Sequence, residues 1–336
     1  VDDLNIVSHE IKPRLQSYKF DISKVPLMER VEIELYKVLS DCSGAVREMC
    51  GHIMSAGGKR IRPLLVIYSG LVFSDLTDEM IQTALAAELI HMASLVHDDI
   101  IDNSSLRRSK PSVNKVWGSH FAVLCGDYLF AKAFGILSGM RLIKSMNHMV
   151  EAIQNMCCGE IIQAGDRFER DISIEKYYDK IMKKTAVFLA CCCKSGAFLG
   201  GATELQVQLL GEYGMNMGLA FQIIDDILDF CGDVNVMGKP KGEDIRQGNI
   251  TLPLILLLRD KRYGNVFSEM MLNNELSETA LDKISDILKK SGSITEAFDM
   301  AAGHIEKAKQ CLDMLPESEH VQFLLKLADM LQARIN

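Results

Sequence analysis

Proline and aromatic residues are scarce in this chain, and their distribution already narrows the fold. Only 7 of 336 residues are proline, and none lies from Ser112 through Lys239. Asn-Gly turns are missing from that stretch as well, so it lacks the breakers and tight turns that hairpins require. Aromatics make up 7% with a single Trp, too few for the aromatic cross-strand pairs that stabilise sheets. The ten cysteines contain no Cys-x-x-Cys pair and fall singly or in adjacent runs. Adjacent cysteines make poor zinc or disulfide frameworks, so they read as buried thiols in a reducing cytosol. Basic excess is missing too: the net charge of −8 argues against a nucleic-acid partner. It still allows an anionic substrate, because local cations override the global sign. The longest nearly apolar stretch, 186–202, is broken by Lys194, and the first residues, VDDLNIVSHE, are polar and acidic. Neither a transmembrane segment nor a signal peptide is expected, which places the protein in the cytoplasm.

Apolar residues recur at three- and four-residue spacing, as in YLFAKAFGIL and ELQVQLLGEYGMNMGLAFQIIDDIL. That period belongs to successive amphipathic or buried helices. Helix starts are predicted at Ser277, Ser293 and Ser318, each a side chain able to accept from a free helical N–H. No strand-like alternation stands out. The expected form is all-α, one domain over residues 1–336, with a cavity between its helices.

Inside this apolar pattern stand two copies of one acidic motif, DDIID at 98–102 and DDILD at 225–229. Residues four apart share a helix face, so Asp98 lies over Asp102 and Asp225 over Asp229. Bare carboxylates in a dry interior must be neutralised, paired or metal-bound. Hard oxygen donors in such number suit Mg²⁺, which completes its shell with water and phosphate oxygens. One such motif would mean little, since acidic groups collect at helix starts for dipole reasons alone. Two copies, each followed by a basic, glycine-bearing or proline-bearing loop, point to two acidic walls around a diphosphate. Those loops are NSSLRRSKPS at 103–112 and GDVNVMGKPKGEDIRQGNITLP at 232–253, and a third basic loop, GGKRIRP at 57–63, precedes the first motif.

At these motifs the chain resembles the trans-polyprenyl diphosphate synthase family, the head-to-tail prenyltransferases, and within it medium- and long-chain members such as heptaprenyl or octaprenyl diphosphate synthase. The likeness runs from GGKRIRP through HDDIIDNSSLRR, GDYLFAKAF, GEIIQAG, KKTA and FQIIDDILDF to GKPKGEDI. It implies an isoprenoid-synthase fold of about a dozen helices around a central substrate cavity. It also implies the reaction: an allylic diphosphate ionises, isopentenyl diphosphate attacks the cation, and a proton is lost. Asp98, Asp102 and Asp225 correspond to ligands of two or three Mg²⁺ ions, with Asp99, Asp226 and Asp229 orienting them. Lys59, Arg62, His91 and Arg108 correspond to the isopentenyl diphosphate site. Arg107, Lys184 and Lys239 correspond to the allylic diphosphate site. Thr185 and Gln222 would face the cation, with Glu160 and Gln163 lining the site behind them. Two departures stand out: Ser109 replaces a usual glycine after the arginines, and Asn249 replaces a lysine of farnesyl-type members.

Family members of short product length put bulky aromatics where this chain has Ala93 and Ser94. Counting back from Asp98, Ser94 lies roughly 6 Å below the metal site and Ile90 roughly 12 Å. With small residues there, and Ala84, Ala86 and Ala87 beyond, the expected product has thirty to forty carbons; a geranylgeranyl product is the shorter alternative. A terpene cyclase is disfavoured by the second DDxxD and the GGKRIR loop, and a non-catalytic regulatory subunit by the intact aspartates. The resemblance implies a homodimer, and a catalytic subunit needing a small helper protein stays open.

Overall fold

The structure, a computed structural model, describes residues 26–167, 169, 172–231, 242–272 and 277–333. Those residues are almost wholly helical, as the spacing predicts. Helices α1 (Pro26–Ser40), α2 (Gly44–Ser55), α3 (Ile61–Leu71) and α4 (Asp78–Ile101) lead to a small hairpin and the short α5 (Val113–Trp117). The proline-free stretch then folds as α6 (Ser119–Gly139), α7 (Ile143–Gly165), α8 (Ile174–Ile181), a π-helical turn (Met182–Ala186), α9 (Val187–Leu199) and α10 (Glu204–Cys231). After it come α11 (Glu243–Arg246), α12 (Leu252–Arg259), α13 (Gly264–Leu272), α14 (Glu278–Ser291), α15 (Ser293–Leu312) and α16 (Glu319–Gln332). Ser277 and Ser318 cap α14 and α16 through their hydroxyls, and Ser293 opens α15 behind Gly292.

The site rests on the two longest helices. Thr77 caps α4 by accepting from the Met80 N–H, and Asp78 and Glu79 oppose the helix dipole in its first turn. Beyond that turn α4 has hardly any solvated face: Ala84, Leu85, Ala86, Ala87, Leu89 and Ile90 are all fully buried. A helix apolar all round is a central helix. α10 plays the same part on the other side, and a continuous core runs from Met28 in α1 to Leu331 in α16.

The π turn is wedged between α7 and α10 through two glycines. A Cβ on Gly159 would meet Lys184 backbone atoms at 2.7–2.9 Å, and one on Gly218 would meet Ala186 Cα at 2.5 Å. Gly218→Ala is therefore expected to cost about 1–3 kcal/mol, the usual penalty for overpacking, read as a fall in the denaturation midpoint. Turnover should fall with it, because the displaced turn carries Lys184 and Thr185.

Three features differ from the sequence expectations. Two-residue strands β1 (Leu106–Arg107) and β2 (Lys110–Pro111) pair antiparallel, where no strand was expected. Their turn places Arg108 and Ser109 at φ of 51° and 62°, the left-handed pair that a two-residue hairpin turn needs, made here without glycine. Cys157 and Cys158 are exposed on the outer side of α7 rather than buried. Finally, α6, not the 186–202 stretch, is long and apolar enough by composition to cross a membrane, with 33% of its apolar window buried.

Candidate active site

The first acidic wall closes α4, and its three carboxylates meet different fates. Asp99 turns into the protein, 3% exposed, and accepts from Arg107 Nε at 2.9 Å. Asp102 accepts from Arg167 Nη2 at 2.9 Å. Asp98 is half-buried, and its carboxyl is pushed up to about 7, first by burial and then by Glu160, against the pull of Lys184 and Arg107. A buried acid without a full counter-charge holds its proton.

On α10 the second wall shows the same division. Asp225 is exposed. Asp226 is 4% exposed and accepts from Tyr177 Oη at 2.7 Å and Gln222 Nε2 at 2.9 Å. Its carboxyl sits at about 7, raised by burial and then by Asp244, with Tyr177, Gln222 and Lys180 opposing. Asp229 accepts from the backbone N–H groups of Glu243 and Asp244 at 3.2 and 3.4 Å. Burial and Asp244 nevertheless raise it to about 8.

Between the walls stands the π turn. Lys184 Nζ lies 2.6 Å from Glu160 and donates to Gln163 Oε1 at 3.1 Å. Burial opposes its charge, but Glu160, Asp98 and Asp102 outweigh that and raise its pKa. Thr185 donates to Gln222 Oε1 at 2.8 Å, and Gln222 in turn donates to Asp226. This spends the hydroxyl proton inward, so the oxygen's lone pairs remain as acceptors. π turns of this kind concentrate at functional sites.

Beside the first wall, α2, the loop before α3, α4, the hairpin and the start of α5 enclose a basic pocket lined by His52, Arg60, Glu88, His91, Arg107 and Arg108. His91 is held well below its ordinary pKa by burial and then by Arg62, Arg108, Arg107 and Arg60. It is therefore neutral, and its Nδ1 has no protein partner. Arg62 lies over the Phe188 ring at 4.9 Å, with its Nε likewise unpartnered. Gly58 lets two guanidinium groups come close: its absent Cβ would lie 2.8 Å from both Arg60 Nη1 and Arg108 Nη1. Buried donors without acceptors, gathered around an apolar-walled pocket, suit a polyanion.

The structure thus brings His91, Arg107 and Arg108 to one pocket, with Arg62 near enough to His91 to depress it. It joins Glu160, Gln163 and Lys184 beside Asp98, and joins Thr185 and Gln222 to Asp226. Lys59 lies exposed in the loop before α3. Lys239 lies outside the described residues. On the α4 face below Asp98, Ile90 and Ala93 are fully buried, whereas Ser94 is half-buried and donates to His91 O at 2.9 Å.

Sequence reading missed several members. Arg60 caps α3 at a left-handed φ of 51° and pairs with Glu32 at 2.6 Å and Glu88 at 2.8 Å. Glu88 precedes His91 by three residues on one face, a signal that was available. Tyr177, Lys180 and Arg167 come from other elements and left no such trace.

Among the described residues no three His, Cys, Asp or Glu side chains converge on a ready-made metal site. What the two walls offer is oxygen ligands spread around a space.

A sequence model of polyprenyl synthetases matches residues 44–288. The chain belongs to that family. Among similar proteins, heptaprenyl diphosphate synthase component 2 of Geobacillus stearothermophilus is 36% identical over 89% of this chain and 92% of its own length. A geranylgeranyl diphosphate synthase of Methanosarcina mazei is 32% identical over 84% and 88%. A solved polyprenyl synthase of Caulobacter crescentus, complexed with calcium and isoprenyl diphosphate, superposes with a TM-score of 0.86 at 31% identity, covering 94% of this chain and 97% of that one. Membership makes this polyprenyl synthetase a prenyltransferase of the isoprenoid-synthase fold, elongating prenyl diphosphates.

Proposed function

We propose that this polyprenyl synthetase condenses an allylic diphosphate with isopentenyl diphosphate, with Mg²⁺, to give an all-trans polyprenyl diphosphate of thirty to forty carbons. One observation carries the reading: α4 has a basic pocket on one side and ends in the first acidic motif, while Lys184, drawn to Asp98, is followed by Thr185, which links through Gln222 to Asp226 of the second motif. The basic pocket needs no metal to hold isopentenyl diphosphate: His91 and Arg108 line it, and Arg62 and Lys59 would join them. The allylic diphosphate, between like-charged walls, does need metal.

The donor set fits Mg²⁺. Asp98, Asp102 and Asp225 would be the ligands, since Asp99, Asp226 and Asp229 are engaged by Arg107, by Tyr177 and Gln222, and by the α11 backbone, and a diphosphate would supply the missing oxygens. Bound there, two or three Mg²⁺ ions would neutralise the departing diphosphate. This chain's own groups do the rest. Lys184, held charged by Glu160, adds a fixed cation, joined by Arg107 and Lys239. Asp99 and Asp226 orient rather than ligate, the first through Arg107 and the second through Tyr177 and Gln222, while Asp229 secures the start of α11. Thr185 and Gln222 present neutral oxygens toward the allylic cation, which stabilise it without capturing it.

The growing tail would pass Ser94, whose hydroxyl is tied back to its own helix, and then Ile90 and Ala93. The exposed apolar residues of α6 and α7, among them Phe121, Val123, Leu124, Ile143, Val150 and Ile161, suit a second copy of the chain. A helper subunit is the alternative, since two similar proteins carry the name component 2.

The test is product analysis with purified protein, Mg²⁺, labelled isopentenyl diphosphate and farnesyl diphosphate. Products of thirty or more carbons are expected, and Ser94→Phe should shorten them to twenty or fewer. A wild-type product of twenty carbons would keep the reaction and overturn the open tunnel. No product from the chain alone, restored by a partner protein, would favour the two-component reading.

A further inference from the structure

Asp102 is claimed by an arginine that the reaction scheme above does not use. Arg167 follows α7 by two residues, and its Nη2 donates to Asp102 Oδ1 at 2.9 Å. Its Nε is shut from solvent with no partner. The turn that delivers it is pinned: Asp166 pairs with Lys176 of α8 at 2.7 Å. Within α7, Glu160 and Gln163 sit three apart on the face that holds Lys184, and Arg167 lies in the turn just beyond its end. The side chain therefore hangs beside the first wall with one donor committed to Asp102 and another unused.

A divalent ion on Asp102 cannot share that oxygen comfortably with a guanidinium. Two like charges at contact repel strongly where water is thin. The diphosphate that arrives with the metal offers the guanidinium a better acceptor, and the planar fork suits phosphate oxygens.

We propose that Arg167 is an exchangeable counter-ion: it holds Asp102 in place before metal binds and passes to the allylic diphosphate when the metal takes the carboxylate. The proposal rests on Asp102 being a metal ligand. Arg167 is thus a positioning residue in one state and a substrate contact in the other. No covalent step is involved.

Two binding measurements on the full chain test it without turnover. Mn²⁺, visible by electron paramagnetic resonance, reports metal binding in the absence of diphosphate. Calorimetry at saturating metal reports inorganic pyrophosphate. In Arg167→Met, Mn²⁺ should bind several-fold more tightly, because its competitor is gone. Pyrophosphate should bind roughly tenfold more weakly, the scale of one charge-assisted hydrogen bond. Arg167→Lys keeps a point charge without the fork and should show smaller shifts of the same signs, which keeps the test open should the Met variant fail to fold. Opposite shifts are the signature; two losses together, or no change in either, overturn the proposal. Asp102→Asn separates the two readings: if it binds Mn²⁺ as the wild type does, the assignment of Asp102 as a ligand fails, whatever Arg167 does.

Discussion

Asp98→Asn is expected to lower turnover by about a thousandfold or more while leaving the protein as stable as the wild type, or slightly more so. The two halves of that result share one cause. Among the described residues, Asp98 is the first-wall carboxylate to which no arginine donates, since Arg107 holds Asp99 and Arg167 holds Asp102, and burial together with Glu160 lifts it to about 7. Its charge is therefore a burden to the folded chain until a metal arrives. The neutral amide removes the burden but is a far weaker ligand, and losing about 4 kcal/mol of transition-state stabilisation is about a thousandfold in rate. Asp99→Asn should behave in the opposite manner. Asp99 is buried against Arg107, and breaking a buried ion pair from one side costs about 3–5 kcal/mol. Steady-state kinetics and urea melts on both variants check the contrast. An Asp98→Asn enzyme within tenfold of wild type would sink the assignment of Asp98 as a metal ligand.

The same two aspartates show what the sequence made legible. Spacing placed DDIID and DDILD on helices and their outer members on one face, because helical geometry is local. It could not say that Asp99 and Asp226 turn inward, since that depends on what comes to meet them. Arg107 is eight residues from Asp99 and was readable in principle, whereas Tyr177 reaches Asp226 from 49 residues away and Arg167 reaches Asp102 from 65. The helical fold followed from the missing prolines and the regular apolar spacing. The π turn left no such mark, as its extra residue is accommodated by Gly159 and Gly218 on neighbouring helices rather than by anything within MKKTA. The hairpin was hidden for a related reason. Its left-handed turn uses Arg108 and Ser109, where pattern reading looks for Asn-Gly. Such strain persists when the surroundings fix it. Here Asp99 anchors Arg107 on one side of the turn, while Arg108 reaches the basic pocket by Gly58.

Raising the pH from about 4 to 8 is expected to destabilise the metal-free protein, and Mg²⁺ with pyrophosphate should abolish most of that loss. Three carboxyls carry the effect: Asp98 and Asp226 at about 7 and Asp229 at about 8, against an ordinary value of 3.8. Around Asp98 stand Glu160, Lys184, Arg107 and Asp102; around Asp226 stand Asp244, Tyr177, Gln222 and Lys180; Asp229 faces Asp244 and Asp226. Each acid binds its proton more tightly folded than unfolded. Its contribution is thus fully present below about pH 4 and drains away as the pH rises through 7 to 8. The three acids are coupled, so the total is of order several kcal/mol rather than a sum of three independent terms. Divalent cations reverse the situation by supplying the positive charge the walls lack, so the ionised carboxylates become an asset and the pH slope flattens. Urea melts across this range, with and without Mg²⁺ and pyrophosphate, measure both slopes. Stability that instead rises with pH in the metal-free protein would mean the walls are already neutralised by Lys180, Lys184, Arg107 and Arg167. The protein would then need no metal to hold its two acidic motifs together.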